Sequence, residues 1–469
     1  MLDRFFRLTE HKTSVRIELM AGLTTFLTMA YIIFVQPAVL SGALFGIKTG
    51  MDFGAVTTAT CLSAAVATAI MALVARYPIA LAPGMGENFF FVLSVIPAAA
   101  AAGFPEPWKV AMGVVFISGV LFFLVYALGL REMIFDAISP SLKNSIAVGI
   151  GLFIAFIGLQ NAGIIIKDPG TAVKLNAHFA SPDFLIFTLG LVVMAALHTR
   201  RVRGALIIGM TLSTGVTIAL KELLPRLTSS PAVAESMLMT RFSLAQSVLA
   251  APPSLAPVFM QMDLAGAVSL TMWPFILIFL FMDVFDTIGT LIGVGEQGGF
   301  MRDNRLPRAR QAMLADQAGT LVGACMGTST VTSYIESITG VEAGGRTGLT
   351  GLTVAALFLL ALFFSPAIAM VAGYPPITAP ALVLVGSMMV QNVRKIDWSD
   401  ASEATPSFLI MLGIPLSYSI GDGLALGFIA YPVIKLLSGR GGEVKWLTSV
   451  LAVVLFIYFV LIRSRVGGG

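Results

Sequence analysis

From Leu19 to Ile47 the chain runs without a single charged residue, and that run fixes the solvent in which the fold must form. A helix needs about 20 apolar residues to cross the hydrocarbon core of a bilayer, so this stretch alone is a full crossing. A secretory signal core is only about 7–15 residues long. The residues before the run mix both signs (Asp3, Arg4, Arg7, Glu10, Lys12, Arg16, Glu18), so a membrane span is expected here and not a cleavable leader. The same character holds along all 469 residues: 57% are hydrophobic, 12% charged, and the mean hydropathy is +0.91. A soluble chain carries about 25% charged residues. Too little charge remains to build a water-facing surface, which excludes a disordered chain, a disulfide scaffold and a nucleic-acid binder. The net charge of +4 is small and its basic residues are dispersed, unlike a polyanion-binding face. Cys61 and Cys325 both fall in apolar stretches and imply no disulfide framework.

Apolar runs of crossing length lie at 17–44, 53–75, 79–102, 108–129, 139–162, 183–198 and 204–223, and again at 266–295, 308–327, 328–343, 347–372, 376–393, 405–419 and 421–437. A more polar stretch with Pro225, Pro231, Pro252, Pro253 and Pro257 separates the two sets. A further run, 446–463, is either a fifteenth crossing or an interfacial helix. Basic residues test this count, because cytoplasmic loops accumulate Lys and Arg. With the N-terminus inside, 20 of the 29 basic residues fall on the cytoplasmic side and 7 outside. Fourteen alternating crossings with a cytoplasmic N-terminus, in a cell or inner membrane, follow. The halves also share short motifs: Pro182-Asp183-Phe184-Leu185-Ile186 with Pro406-Ser407-Phe408-Leu409-Ile410, and Ile138-Ser139-Pro140 with Ile377-Thr378-Ala379-Pro380. Seven spans followed by seven reverse the second copy, which is the inverted repeat common among secondary transporters. The expected units are 1–230, a connector at 231–262, 263–440, and a hydrophobic tail at 441–469.

Two spans cannot be regular helices. The third opens Tyr77-Pro78-Ile79-Ala80-Leu81-Ala82-Pro83-Gly84-Met85-Gly86-Glu87-Asn88, and two prolines with two glycines at that depth favour an extended stretch followed by a half-helix. The tenth, its counterpart, reads Gly327-Thr328-Ser329-Thr330-Val331-Thr332-Ser333-Tyr334-Ile335-Glu336-Ser337. Interrupted segments in matching positions of two halves point to a transporter binding site. In the eighth span, Asp283 and Asp286 stand three residues apart on one helix face, behind the uncharged run Ala265–Met282. A carboxylate at that depth costs at least ~2.5 kcal/mol on insertion and is normally functional. Asp316 lies two turns past Arg308 and Arg310 and reads as a structural pair near the cytoplasmic end. Glu87 has Arg76 as an available partner, and Arg346 reads as a boundary charge.

A site built from Asn88, Asp283 and Glu336 repels anions. Carboxylates accept hydrogen bonds in pairs, and an amide adds a donor and an acceptor. The matching guest is neutral, planar and rich in N–H donors, with Phe89, Phe281 or Phe285 available to cover its ring. That is the description of a nucleobase. His11, His178 and His198 fall at loops or span ends, which leaves the buried acids to carry a coupling charge. Asp283 and Asp286 are expected to hold the coupling proton together, although a sodium ion would want the same two carboxylates. No cofactor, metal site or covalent catalytic constellation is implied.

At Ala82-Pro83-Gly84-Met85-Gly86-Glu87-Asn88, at Asp283-Val284-Phe285-Asp286-Thr287-Ile288-Gly289-Thr290 and at Thr332-Ser333-Tyr334-Ile335-Glu336-Ser337, the chain resembles the nucleobase–cation symporter (xanthine/uracil permease) family. It is most similar to the AzgA-like branch of hypoxanthine, guanine and adenine permeases. The resemblance covers about 1–440. It implies an all-α polytopic fold of fourteen spans in a 7+7 inverted repeat, with short extended segments in spans 3 and 10. It further implies a core domain from spans 1–4 and 8–11 and a gate domain from spans 5–7 and 12–14. It assigns substrate contacts to Asn88, Asp283 and Glu336, with supporting roles for Gly86 and Asp286. Asp283 stands where the uracil branch has a longer Glu, which leaves room for a purine. The expected partners are a purine nucleobase, a coupling proton or sodium ion and the bilayer, with a homodimer admitted and no nucleic acid.

The leading expectation is import of purine bases by cation symport with alternating access. Gly413, Pro415 and the Gly421-Asp422-Gly423 turn are expected to give the gate local flexibility. A same-fold carrier of another small solute, such as uracil or an anion, is the nearest rival, but an anion carrier would prefer an uncharged or basic site. A channel would need a continuous polar stripe, and an enzyme a catalytic constellation. Neither pattern is present in the sequence.

Overall fold

A computed structural model describes residues 2–128, 138–227, 231–301, 306–457 and 459–460. The protein is an all-α polytopic membrane fold, with ten helices among the described residues long and apolar enough to cross a bilayer. The first span breaks at Ala30–Tyr31 into α1 (Val15–Met29) and α2 (Ile32–Leu40), and α3 (Phe53–Ile70) forms the second. Strand β1 (Leu81–Pro83) and the half-helix α4 (Met85–Phe90) open the third. Then come α5 (Pro107–Ala127), α6 (Pro140–Asn161), the hairpin β2–β3 (Ile165–Asp168, Ala172–Leu175), α7 (Pro182–Thr199) and α8 (Ala205–Leu227). The second half holds α9 (Trp273–Gln297), α10 (Ala309–Met326), strand β4 (Val331–Ser333) with the half-helix α11 (Ser337–Glu342), and α12 (Gly348–Ala361). It closes with α13 (Pro375–Val390), α14 (Ala401–Ser417), α15 (Ile420–Leu437) and α16 (Trp446–Ile457).

Local chemistry sets the helix starts. Ser139-Pro140 and Ser181-Pro182 each place a hydroxyl acceptor at the N-cap and a proline at the first helical position, where its missing N–H costs nothing. The two hydroxyls accept from Leu142 N and Phe184 N at 3.2 Å. Their supposed counterparts fall elsewhere: Pro406 lies inside α14 and Pro380 inside α13, so these motif pairs do not mark equivalent helix starts. The repeat is visible instead in the third and tenth spans, each an extended strand leading into a half-helix.

The helices pack in two groups. In one, α1 lies on α12, α12 on α3, α3 on α10, and α10 on α5, with α9 against α5. In the other, α6 lies on α13 and α14, α14 on α15, and α7 on α8 and α13. Strands β1 and β4 cross antiparallel inside the first group, in register Leu81↔Ser333, Ala82↔Thr332 and Pro83↔Val331. Gly84 N donates to Thr330 O (3.0 Å) and Tyr334 N to Ala80 O (2.9 Å), which extends the ladder at both ends. Each broken span thus satisfies the other's backbone where water is absent, as an interrupted segment in a bilayer must.

Buried side chains close the same accounts elsewhere. Glu18, fully buried, accepts from Arg346 N (2.9 Å), from Thr350 Oγ1 (2.6 Å) and from the amides of Thr347 and Thr350, capping α12. Arg346 is therefore more than a boundary charge: its guanidinium also donates to the Val341 and Gly345 carbonyls of the α11 end. A Cβ on Gly413 would come within 2.9 Å of Gly423 Cα, and one on Gly423 would strike Ile414 backbone. These two glycines serve close approach of α14 to α15, where flexibility was expected. Residues 244–263 lie over the first group, bonded to Thr58, Cys325, Phe363 and Lys109. The tail helix α16 packs on α15 and touches α9. Just before it, Lys435 and Arg440 bind Asp400, Glu403 and Glu443 at 2.7–3.6 Å.

Candidate functional site

The acids of α9 come first because depth fixes their chemistry. Asp283 lies ten residues past Trp273, about 15 Å along the helix, and is fully buried. Its Oδ2 accepts from Gln317 Nε2 (3.1 Å) and Thr320 Oγ1 (3.4 Å), both on α10. Asp286, one turn on, is exposed. The two acids are about 60° apart around the helix, yet Asp283 is sealed inside the helix group while Asp286 is exposed. Phe285 lies on α9 between them, but its side chain is outside the described residues.

Glu336 is the residue that enters α11 and is half-exposed. Its Oε1 accepts from Tyr31 Oη at 3.1 Å. Tyr31 occupies the break between α1 and α2 and is almost completely buried. Its placement beside Glu336 is enforced by the packing of α1 on α11. Thr28 and Thr339 share a hydrogen bond of 3.0 Å, and Gly340 approaches α1 so closely that a Cβ would collide with Thr25 and the Ala21 carbonyl.

Asn88 is fully buried on α4, and its amide is already engaged. Gln36 Nε2 donates to Asn88 Oδ1 (3.0 Å), Asn88 Nδ2 donates back to Gln36 Oε1, and Ser329 Oγ also donates to Asn88 Oδ1. Gln36 Nε2 reaches Thr328 Oγ1 as well (2.9 Å). Spans 1, 3 and 10 are thus stitched together by one amide pair. Gly86 faces α6, where a Cβ would meet the Ile150 side chain at 3.2 Å. Phe89 is buried edge-on between Phe45 (5.7 Å) and Phe153 (6.2 Å). Phe281 lines a narrow apolar space with Ile278, Met282, Phe428 and Leu455. These two rings pack at the boundary of the two helix groups.

Two expected ion pairs do not form. Asp316 is fully buried and accepts from Ser333 N (2.8 Å), Ser333 Oγ (2.6 Å), Thr287 Oγ1 (2.7 Å) and Gln317 Nε2 (3.3 Å). Arg308 lies over the Tyr77 ring and Arg310 donates to the Ala127 carbonyl. The helical face of Asp316 points inward to β4, away from the arginines one turn and more behind it. Arg76 likewise stacks on Phe5 at 4.8 Å, while Glu87 is buried beside Gly84. Neutral hydroxyls and amides therefore surround five carboxylates: Glu87, Asp283, Asp286, Asp316 and Glu336. Such a site attracts cations and N–H donors and repels anions.

Residues 16–426 match the model of the Permease family, the xanthine/uracil permeases. The chain belongs to this permease family. Among its curated relatives is a putative permease of Methanocaldococcus jannaschii, 44% identical with 99% of both chains covered. A guanine/hypoxanthine permease of Bacillus subtilis is 42% identical, with 98% of this permease and all of the relative covered. An adenine permease of Escherichia coli is 37% identical over 99% of this chain and 97% of its own. Among solved structures, the transmembrane domain of the cyanobacterial bicarbonate transporter BicA superposes with a TM-score of 0.59. It is 15% identical and covers 88% of this permease and 97% of its own chain. At that identity the likeness shows the fold alone. The family makes this chain a membrane permease and not an enzyme.

Sequence reading missed four hydrogen-bond partners of the expected residues: Tyr31, Gln36, Gln317 and Thr320. Gln36 left a signal, as an amide in a run otherwise free of charge where unpaired polar groups are expensive. Gln317 left the same signal one position from Asp316. Tyr31 left none, because an aromatic residue in a membrane span is unremarkable by type.

Proposed function

We propose that the permease imports purine nucleobases, guanine or hypoxanthine first and adenine or xanthine as further candidates, by proton symport with alternating access. One observation carries the reading: Asp286 and Glu336 lie close enough to interact with each other and with the buried Tyr31, with no basic residue among their described hydrogen-bond partners. A purine offers ring N–H groups to two such acceptors, and the names of the relatives agree with that chemistry. Asp286 and Glu336 would hold the base. Asn88 and Gly86 would hold the segments around it, Asn88 through Gln36 and Ser329. Asp283, sealed one turn below Asp286, would carry the coupling cation.

The two helix groups suit a core of spans 1–4 and 8–11 and a gate of spans 5–7 and 12–14. The crossed strands β1 and β4 bind spans 3 and 10 into one body, so the base and the acids would move together as the core shifts against the gate. The N-terminus would lie in the cytoplasm, from the excess of basic residues on that side. The test is uptake of radiolabelled purines by a permease-deficient cell expressing this chain, competed by each base in turn. Strong competition by purines alone is expected. Uptake competed by bicarbonate or sulfate and indifferent to purines overturns the reading.

A further inference from the structure

We propose that Gln317 is the positioning residue that ties a coupling proton on Asp283 Oδ1 to the substrate strand. The proposal rests on the symport reading and names the atoms that perform it. Counting donors against acceptors leads to it. Asp283 and Gln317 are both fully buried. Asp283 Oδ1 and Gln317 Oε1 have no hydrogen-bond partner. The amide of Gln317 has two N–H groups, and both are spent on carboxylates, Asp283 Oδ2 at 3.1 Å and Asp316 Oδ2 at 3.3 Å. Thr320 has one proton, divided between Asp283 Oδ2 (3.4 Å) and the Val331 carbonyl (3.1 Å). The cluster is short of a donor, and buried acceptors are rarely left so. A proton on Oδ1 supplies it.

The surroundings agree in sign. The charged groups facing Asp283 are Asp316 from α10, Glu87 from α4 and Asp286 from its own helix, and all are acids. Their roles differ by hydrogen bonding. Asp316 accepts four bonds, from Ser333 N, Ser333 Oγ, Thr287 Oγ1 and Gln317 Nε2, and is solvated as an anion. Asp283 has an unsolvated oxygen. Asp286 is exposed and so has no comparable sealed oxygen. Among the described acids, Asp283 is the one with a fully buried carboxylate oxygen left without any hydrogen-bond partner.

The same bonds lead to the substrate. Gln317 joins Asp283 to Asp316, Asp316 holds Ser333 by its amide and its hydroxyl, and Ser333 stands three residues before Glu336 on the strand that enters the half-helix. Loss of the proton turns Asp283 into a full acceptor and draws the Gln317 amide toward it, away from Asp316. The chain of contacts therefore contains an element that both sites bias, as coupling requires.

The experiment uses the full-length permease in proteoliposomes with radiolabelled hypoxanthine, and compares exchange at equal pH with accumulation against a pH step. One proton per base against one pH unit supports about tenfold accumulation. Gln317→Leu, close in size but without donor or acceptor, should keep exchange and accumulate no more than about twofold. Asp286→Asn should instead raise KM and, at saturating base, still accumulate. Should Gln317→Leu yield no folded protein, Thr320→Val removes the other donor to Asp283 Oδ2 and is read the same way. Wild-type accumulation in Gln317→Leu, or exchange without accumulation in Asp286→Asn but not in Gln317→Leu, overturns the assignment while leaving symport standing. A wild-type protein that exchanges hypoxanthine but ignores the pH step, or follows sodium at equal pH, overturns proton symport itself.

Discussion

Replacing Tyr31 by Phe removes one oxygen and leaves the ring, which makes it the cleanest probe of the substrate carboxylate. Tyr31 donates to Glu336 Oε1 at 3.1 Å from an almost fully buried position. The bond fixes the orientation of the Glu336 carboxylate. A hydrogen bond to a charged group contributes about 1.5–3 kcal/mol. Glu336 is half-exposed, so water replaces part of the loss and the lower end applies, which at 1.4 kcal/mol per decade is about a tenfold change. Tyr31→Phe should therefore raise KM for purine uptake about tenfold and leave protein abundance unchanged. The ring still fills its place between α1 and α11, so the maximal rate should fall far less than the affinity. The assay is initial-rate uptake over a range of base concentrations, normalised to purified protein. A second arm combines the change with Glu336→Gln. If the phenol acts through Glu336, Tyr31→Phe should cost little once the carboxylate is gone, because mutations of contacting residues do not add. A KM within twofold of wild type, or full additivity of the two changes, refutes the reasoning.

Glu336→Gln by itself should nearly abolish uptake in correctly inserted protein, because it sets an N–H donor where a ring N–H must be accepted; a normal KM would remove Glu336 from the site. Asn88→Ala should lower thermal stability by about 1–3 kcal/mol along with purine affinity, since the buried Gln36 Oε1 loses its donor; thermal melting with and without purine separates the two effects. Ser94 and Ser419 hydroxyls meet across the two helix groups at 3.3 Å, so a cysteine pair there, once oxidised, should block transport yet leave purine binding intact, and full-rate transport by the oxidised pair would sink the moving-core picture. Arg440 draws the Glu443 carboxyl from 4.5 down to about 2, and the Ser402 hydroxyl and amide, with Arg440, hold Asp400 below the usual carboxylate range. Both shifts are downward, so their stabilisation is complete above about pH 4.5 and is lost as pH falls toward 2. Emission from Trp446 as sole tryptophan should change in that window, and Arg440→Ala should move the change upward in pH; an unmoved transition would detach the network from the tail.

Much of the site was legible as depth and type. Asp283 and Asp286 announced themselves as charges far inside an uncharged run, and Pro78, Pro83 and Gly84 as breakers where a helix should start. Their division of labour was not legible. Three residues apart means one face by helical geometry, yet Asp283 is sealed against α10 while Asp286 is exposed, because the edge of that face is where α9 leaves its neighbours. Asp316 misled for a related reason. Sequence distance set it near Arg308 and Arg310, but its rotation about α10 turned it toward Ser333 and Thr287.

The sequence by itself determined the solvent, the number and rough position of the apolar runs, the two broken spans and the acids within them, because transfer of charge into hydrocarbon is costly enough to be written in composition. Tertiary structure alone decided the partners. Gln36 and Asn88 are 52 positions apart, Tyr31 and Glu336 305 apart, and Leu81 and Ser333 meet across the two halves. No periodicity encodes such pairings. A buried polar group must be satisfied by whichever group the packing of spans brings within 3 Å, and that choice exists only once the helices have met.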